Sequence, residues 1–210
     1  KREPFWWEAS CPDDEHSGSL PSSTDVIVVG SGYAGLSAAL ELIRAGLNVT
    51  VVEALAFGEG ASSRSGGGVS AGVNIGKGIS GGPGQSKKFA RDRTLLKSLM
   101  VESLSAFELV EKLVREENIH CHFERRGRFI GAINKQHYEK MKTKADYLND
   151  VIQVGARLIP QDEQHEEIGS SFYCGGMVIE KAAKLHPSLF HRGLLNACYK
   201  AGVKLCSRTK

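Results

Sequence analysis

Long apolar runs are missing from this chain of 210 residues. No stretch approaches the ~20 apolar residues that a bilayer-spanning helix needs, so no membrane span is expected. No basic stretch followed by an apolar run marks a secretory leader, although an opening at Lys1 instead of methionine suggests residues upstream. Excess charge is also scarce. Twenty-seven Lys and Arg face 24 Asp and Glu, a net charge of +3. Apart from short pairs such as Lys87-Lys88 and Arg125-Arg126, the basic residues are scattered, which leaves no electrostatic footprint for nucleic acid. The cysteines are few and odd in number. Cys11, Cys121, Cys174, Cys198 and Cys206 are widely spaced, which suits reduced thiols in a cytoplasmic compartment better than a disulfide framework. Cys121 stands between His120 and His122, but no second ligand cluster accompanies it, and a strand sends neighbouring side chains to opposite faces. No metal site is expected.

Glycine, by contrast, is plentiful, and its placement carries the argument. Val26–Val29 is a run of four β-branched apolar residues, the pattern of a strand buried on both faces of a parallel sheet. Gly30, Ser31, Gly32, Tyr33, Ala34 and Gly35 follow as Gly-x-Gly-x-x-Gly. The first glycine permits a tight turn, the second lets a pyrophosphate approach the backbone, and the third lets the next helix pack closely on the strand. Leu36, Ala39, Leu40 and Ile43 fall on one stripe of that helix, and Gly46 is a natural left-handed stop. The unpaired N–H groups of its first turn suit a doubly charged pyrophosphate. Residues 48–52 read as a second strand. Glu53 lies 23 positions beyond Gly30, at the strand's carboxyl end with Ala54 beside it. There an acidic side chain accepts hydrogen bonds from adenosine ribose hydroxyls and disfavours a 2′-phosphate, hence NADP.

The segment after Glu53 separates the cofactors. Nicotinamide enzymes usually continue with another βαβ unit, whereas residues 58–84 hold 11 of the chain's 24 glycines. Ala61, Ser62, Ser63, Arg64, Ser65, Gly66 and Gly67 place hydroxyls, one cation and bare backbone N–H groups where a phosphate or the polar edge of an isoalloxazine can use them. A flexible Gly/Ser linker is the plainer alternative, and for residues 76–84 a mobile surface loop is the expected form. The cofactor expected from the whole pattern is FAD.

Three more stretches join the pattern: Pro4–Glu8 (PFWWE), Ser171–Ile179 (SFYCGGMVI) and Leu185–Leu194 (LHPSLFHRGL). With the run from Asp25 to Gly67, they make the chain resemble the FAD-dependent D-amino-acid oxidase (DAO) superfamily, in particular its gamma-glutamylputrescine oxidoreductase-like branch. The likeness covers essentially the whole chain. One departure stands out. The family usually reads Arg-Asn-Gly-Gly, and here Arg64 is followed by Ser65, a shorter donor. The resemblance implies oxidation of the C–N bond of a small amine or amino-acid substrate to an imine that water hydrolyses, with flavin as hydride acceptor. It also implies that the chain is the N-terminal portion of an enzyme, inactive by itself, whose substrate-recognition residues and further strands lie beyond Lys210. No residue marks a covalent flavin link, and no catalytic residue can be assigned. Two alternatives remain open: an NAD-dependent dehydrogenase, and a non-catalytic flavin-fold remnant acting as a binding or scaffold protein.

The expected architecture is α/β: a Rossmann-like FAD-binding βαβ unit with parallel strands, interrupted by an α+β insertion that begins a substrate domain. The expected boundaries are an irregular arm over 1–23, anchored by Trp6 and Trp7, the FAD-binding βαβ and flavin loop over 24–84, the insertion over 85–180 and a return over 181–210. In the insertion, residues 91–118 read as a helix with Leu96, Leu99, Ser103, Phe107, Val110 and Val114 inward. Residues 123–133 read as strand and turn, and 134–154 as a helix buried along Tyr138, Met141, Ala145, Leu148 and Ile152. A short helix is expected at 161–168 and a β segment at 171–179. Pro187 suits the first turn of a helix running to about Ala201. Residues 203–206 read as a strand, and the resemblance implies that it lies beside 48–52 as the third parallel strand. His186 and His191 read as helix-flanking residues before they read as catalytic ones.

Overall fold

Strand β1 (Val26–Val29) ends in the glycine turn, helix α1 (Tyr33–Arg44) follows, and β2 (Val49–Val52) returns parallel to β1, with Val26 opposite Val49 and Val29 opposite Val52. This computed structural model describes residues 3–71 and 93–209. Leu36, Ala39 and Leu40 are buried as their spacing requires. The helix stops in a paired motif: Gly46, at φ +88°, donates to the Ile43 carbonyl and Leu47 to that of Leu42. Helix α4 (Pro187–Lys200) has proline in its first turn and His186 as its cap, Nδ1 accepting from Leu189 N–H. It leads through Gly202, at φ +94°, into the last strand, β8 (Lys204–Cys206), which runs parallel to β2 with Thr50 opposite Lys204.

One expectation about this sheet fails. Its order is β1-β2-β8, so among the described residues β1 is an edge strand. Among the described residues only one of its faces is covered. Val28 points toward α1, where a Cβ on Gly35 would lie 3.3 Å from its Cγ1, while Ile27 and Val29 are 60% and 85% exposed. A run of β-branched residues signals a strand but not the number of layers packed on it.

Residues 3–23 are mostly irregular and are held in place by side-chain hydrogen bonds. A 3₁₀ turn over Phe5–Glu8 presents both indoles: Trp6 Nε1 donates to the Ser65 carbonyl and Trp7 Nε1 to Ser63 Oγ, each at 2.8 Å. Asp13 then bridges to Phe57 and forms an ion pair with Arg192 of α4.

The chain divides into two compact units, Lys1–Gly67 with Lys112–Phe123 and Leu185–Lys210, and Gly68–Glu111 with Glu124–Lys184. The opening stretch of the first unit ends at Gly67, and β3 (Gly68–Ser70) pairs antiparallel with β7 (Ala182–Lys184) in the second. The first unit also takes residues 112–123. Ile119 packs so closely on α4 that a Cβ on Gly193 would come within 2.2 Å of it, and His186 N–H donates to the Cys121 carbonyl.

In the second unit, β4 (Arg128–Gly131) and β5 (Ala156–Ile159) flank β6 (Gly176–Ile179) antiparallel. Helix α3 (Lys135–Ile152) is capped by Asn134 and buries Met141, Ala145, Leu148 and Ile152, as its pattern foretold. Helix α2 (Arg93–Glu116), whose last turn belongs to the first unit, lies within its expected span and bears out its expected inward face only in part. Met100, Phe107 and Leu113 are buried, whereas Leu99 is 37% exposed. The helix carries apolar residues on more than one side, so only its packing partners select the buried side. The expected helix at 161–168 is a single 3₁₀ turn, Gln164–Glu166, and the loop expected over 76–84 lies outside the described residues.

Candidate cofactor site

Each glycine of the turn has a separate structural reason. Gly30 sits at φ +95°, a conformation that side chains rarely adopt, and its N–H donates to the Val52 carbonyl at 2.7 Å. Gly32 is the cap residue of α1 and provides no side-chain cap; a Cβ there would stand 3.1 Å from Ser62 Oγ. Gly35 is the tightest, since a Cβ would fall 2.0 Å from the Gly30 carbonyl oxygen. The turn therefore closes only without side chains. It leaves the first N–H groups of α1, including that of Ala34, without an intrahelical partner at the dipole's positive end. Tyr33 N–H reaches Ser62 Oγ at 3.2 Å. Bare backbone donors beside small residues fit a diphosphate group.

Ser31, between the first two glycines, is 2% exposed, and all its polar groups are engaged. Its N–H and hydroxyl donate to Glu53 Oε2 at 2.9 and 2.8 Å, and its carbonyl lies 2.7 Å from His191 Nε2. Glu53 Oε1 accepts from Leu55 N–H at 3.1 Å. The carboxylate expected at the end of β2 is thus on the same side as Gly32 and tied to the turn. Burial acts to raise the Glu53 pKa, but donors from Ser31, Leu55 and Ala54 outweigh it and hold the carboxyl below the usual glutamate range. The sign follows. A depressed folded-state pKa gives stability that is complete above the unfolded-state value and lost as pH falls through the folded one. Wild-type protein should therefore lose melting temperature between about pH 5 and about pH 3 more steeply than Glu53→Gln, whose side chain does not titrate there. Parallel thermal-unfolding curves of the two across that window would show that the contact contributes nothing.

The loop residues divide by where their side chains go. Ala61–Arg64 form a 3₁₀ turn. Ser62 faces the start of α1, while Ser63 is buried, its hydroxyl donating to the Gly58 carbonyl and accepting from Trp7. The Ser63 side chain therefore holds the turn and is not free to contact a cofactor. Arg64 is exposed, its Nε on the Gly60 carbonyl and its guanidinium over the Trp7 ring. Ser65 and Gly66 are exposed, and Ser65 Oγ accepts from Gly67 N–H at 3.4 Å. Gly67, at φ +72°, passes so close to the Leu185 carbonyl that a Cβ would come within 2.3 Å of its oxygen. The Tyr33 side chain also turns inward, its hydroxyl donating to the Pro187 carbonyl at 2.9 Å and its ring against Phe190; burial raises its pKa. Sequence reasoning gave Ser31 and Glu53 as separate contacts and missed the bond between them. It also missed His191 as the third member; no local pattern links positions so far apart.

All five cysteines are free thiols, and burial pushes that of Cys198 up to about 12. Among the described residues no group of three or more His, Cys, Asp or Glu gathers around a metal position, and no helix is long and apolar enough to cross a membrane.

Residues 25–210 match the family model of DAO, FAD dependent oxidoreductase, and the chain belongs to this family. FAD is accordingly its cofactor. The chain is 31% identical over 183 residues to the probable oxidoreductase OrdL of Haemophilus influenzae, covering 86% of this chain and 40% of that protein. To the gamma-glutamylputrescine oxidoreductase of Escherichia coli it is 28% identical, over 78% of this chain and 36% of that one. The fold is shared with glycine oxidase from Geobacillus kaustophilus (TM-score 0.68, 20% identity, 89% of this chain and 47% of that one). It is shared also with L-amino acid deaminase from Proteus myxofaciens (TM-score 0.72, 15% identity, 92% of this chain and 40% of that one). The chain thus spans less than half the length of these proteins.

Proposed function

We propose that this chain is the dinucleotide-binding portion of an oxidoreductase that converts the C–N bond of an amine or amino acid into an imine. The observation that carries the reading is the uncapped start of α1 above a turn with no room for side chains, with Glu53 locked beside it through Ser31. The α1 N-terminus, from Gly32 to Gly35, holds the diphosphate. Glu53 offers its carboxylate to the adenosine ribose. Ser62, Arg64, Ser65, Gly66 and Gly67 border the flavin side through hydroxyl, guanidinium and backbone donors. When bound, FAD supplies the acceptor for the hydride that leaves the amine-bearing carbon, and the protein's part is orientation and electrostatics. The amine class is supported by the likeness to gamma-glutamylputrescine oxidoreductase. The free thiols support a reducing, cytoplasmic setting.

The test is the visible spectrum of the purified full-length protein. A flavin spectrum that bleaches without oxygen on adding a polyamine or amino acid is expected. A colourless protein stabilised against heat by NAD would overturn the reading in favour of a nicotinamide dehydrogenase. A flavin spectrum that no amine bleaches would favour a binding protein.

A further inference from the structure

We propose that His191 is a positioning residue for the cofactor turn: its imidazole, protonated at Nε2, holds the Ser31 carbonyl and so sets the backbone on which the diphosphate rests. This rests on the flavin-binding reading above. A carbonyl oxygen only accepts, so the nitrogen 2.7 Å from it must carry the proton. That defines the tautomer. The ring is 4% exposed and clamped from its other edge, because Gly58, at φ +85°, approaches so closely that a Cβ would stand 3.3 Å from Nδ1. Burial of the ring disfavours the imidazolium and outweighs the Ser31 carbonyl, which favours it; Arg192 acts with burial against the opposing fields of Glu53 and Asp13.

The consequence is a three-point grip on one residue. Glu53 from the end of β2 holds the N–H and hydroxyl of Ser31, and His191 from α4 holds its carbonyl. The peptide groups on both sides of Ser31 are therefore oriented before any ligand arrives, and Gly32 starts α1 from a fixed plane. A preset turn binds more tightly because less ordering remains to be done on binding. His191 touches no cofactor atom in this scheme; it acts through Ser31.

The test uses full-length protein and FAD itself. His191→Leu keeps the volume and removes the donor; His191→Gln places an amide N–H near the position of Nε2. FAD dissociation constants of apo-protein, read by flavin fluorescence, should rise about tenfold in His191→Leu, the weight of one hydrogen bond. His191→Gln should stay within about threefold of wild type. Equal weakening in both variants would reduce His191 to packing and overturn the proposal, as would unchanged affinity in His191→Leu. Wild-type protein that binds no FAD would instead sink the flavin reading itself. Should His191→Leu fail to fold, nitrogen-15 NMR of histidine-labelled wild type decides: a ring protonated at Nε2 is expected, and an Nδ1–H tautomer with a bare Nε2 overturns the proposal.

Discussion

Gly35→Ala is expected to abolish stoichiometric FAD in the purified protein and to destabilise it measurably. The added methyl would sit 2.0 Å from the Gly30 carbonyl oxygen. A flexible side chain could yield, but this obstacle is backbone, held by the Gly30 N–H bond to Val52 and by the grip on Ser31. Overpacking of this kind costs ~1–3 kcal/mol when neighbours can shift, and here they can do so only by opening the turn. A fall in melting temperature of about 2–4 °C per kcal/mol is then expected. Gly60→Ala is the control. It precedes the Ala61–Arg64 turn at an ordinary φ of −75° with nothing within 4 Å of its added carbon, so stability within ~0.5 kcal/mol of wild type is expected. Flavin content by absorbance and melting temperature by calorimetry check both. A yellow Gly35→Ala protein with wild-type melting temperature would show that the close approach of helix and turn is dispensable.

Residues 1–210 expressed alone should aggregate or hold FAD weakly. The cause is β1. It is the edge of its sheet among the described residues, and Ile27 and Val29 expose their side chains on the face that α1 does not cover. An unpaired apolar edge is a template for further strands. Val29→Lys adds charge at the most exposed position and leaves the register with Val52 intact, so its soluble fraction should rise about severalfold over that of the parent. Light scattering after size exclusion reads the outcome. A monodisperse, stoichiometrically yellow 1–210 monomer would contradict the expectation, and equal aggregation of Val29→Lys would move its cause away from β1.

What could be read before folding was whatever nearest neighbours along the chain decide. The β1–turn–α1–β2 unit was legible because its signals are local: four β-branched residues, glycines at a fixed spacing, one helical stripe, and Gly46 where the chain must turn left-handed. The pairing of 203–206 with β2 was foreseen through the family likeness and appears as β8. Strands β3, β5 and β7 were not, since three or four residues carry too little periodicity and acquire their structure from partners. The inward face of α2 was read only in part for a related reason: Phe107 is buried as expected, but apolar side chains on several sides left Met100 and Leu113 to be chosen by what packs against them.

The amino-acid order by itself determined that a helix N-terminus would stand bare above a glycine turn with an acid nearby, because backbone conformation and side-chain size act within a few residues. Only the tertiary structure decided how that turn is held. The indole of Trp7 buries Ser63, the start of α4 receives the Tyr33 hydroxyl, and His191 reaches Ser31 across 160 positions of sequence. Hydrogen bonds of that range depend on where two elements meet in space, and a meeting of elements leaves no periodic trace in the chain that makes it.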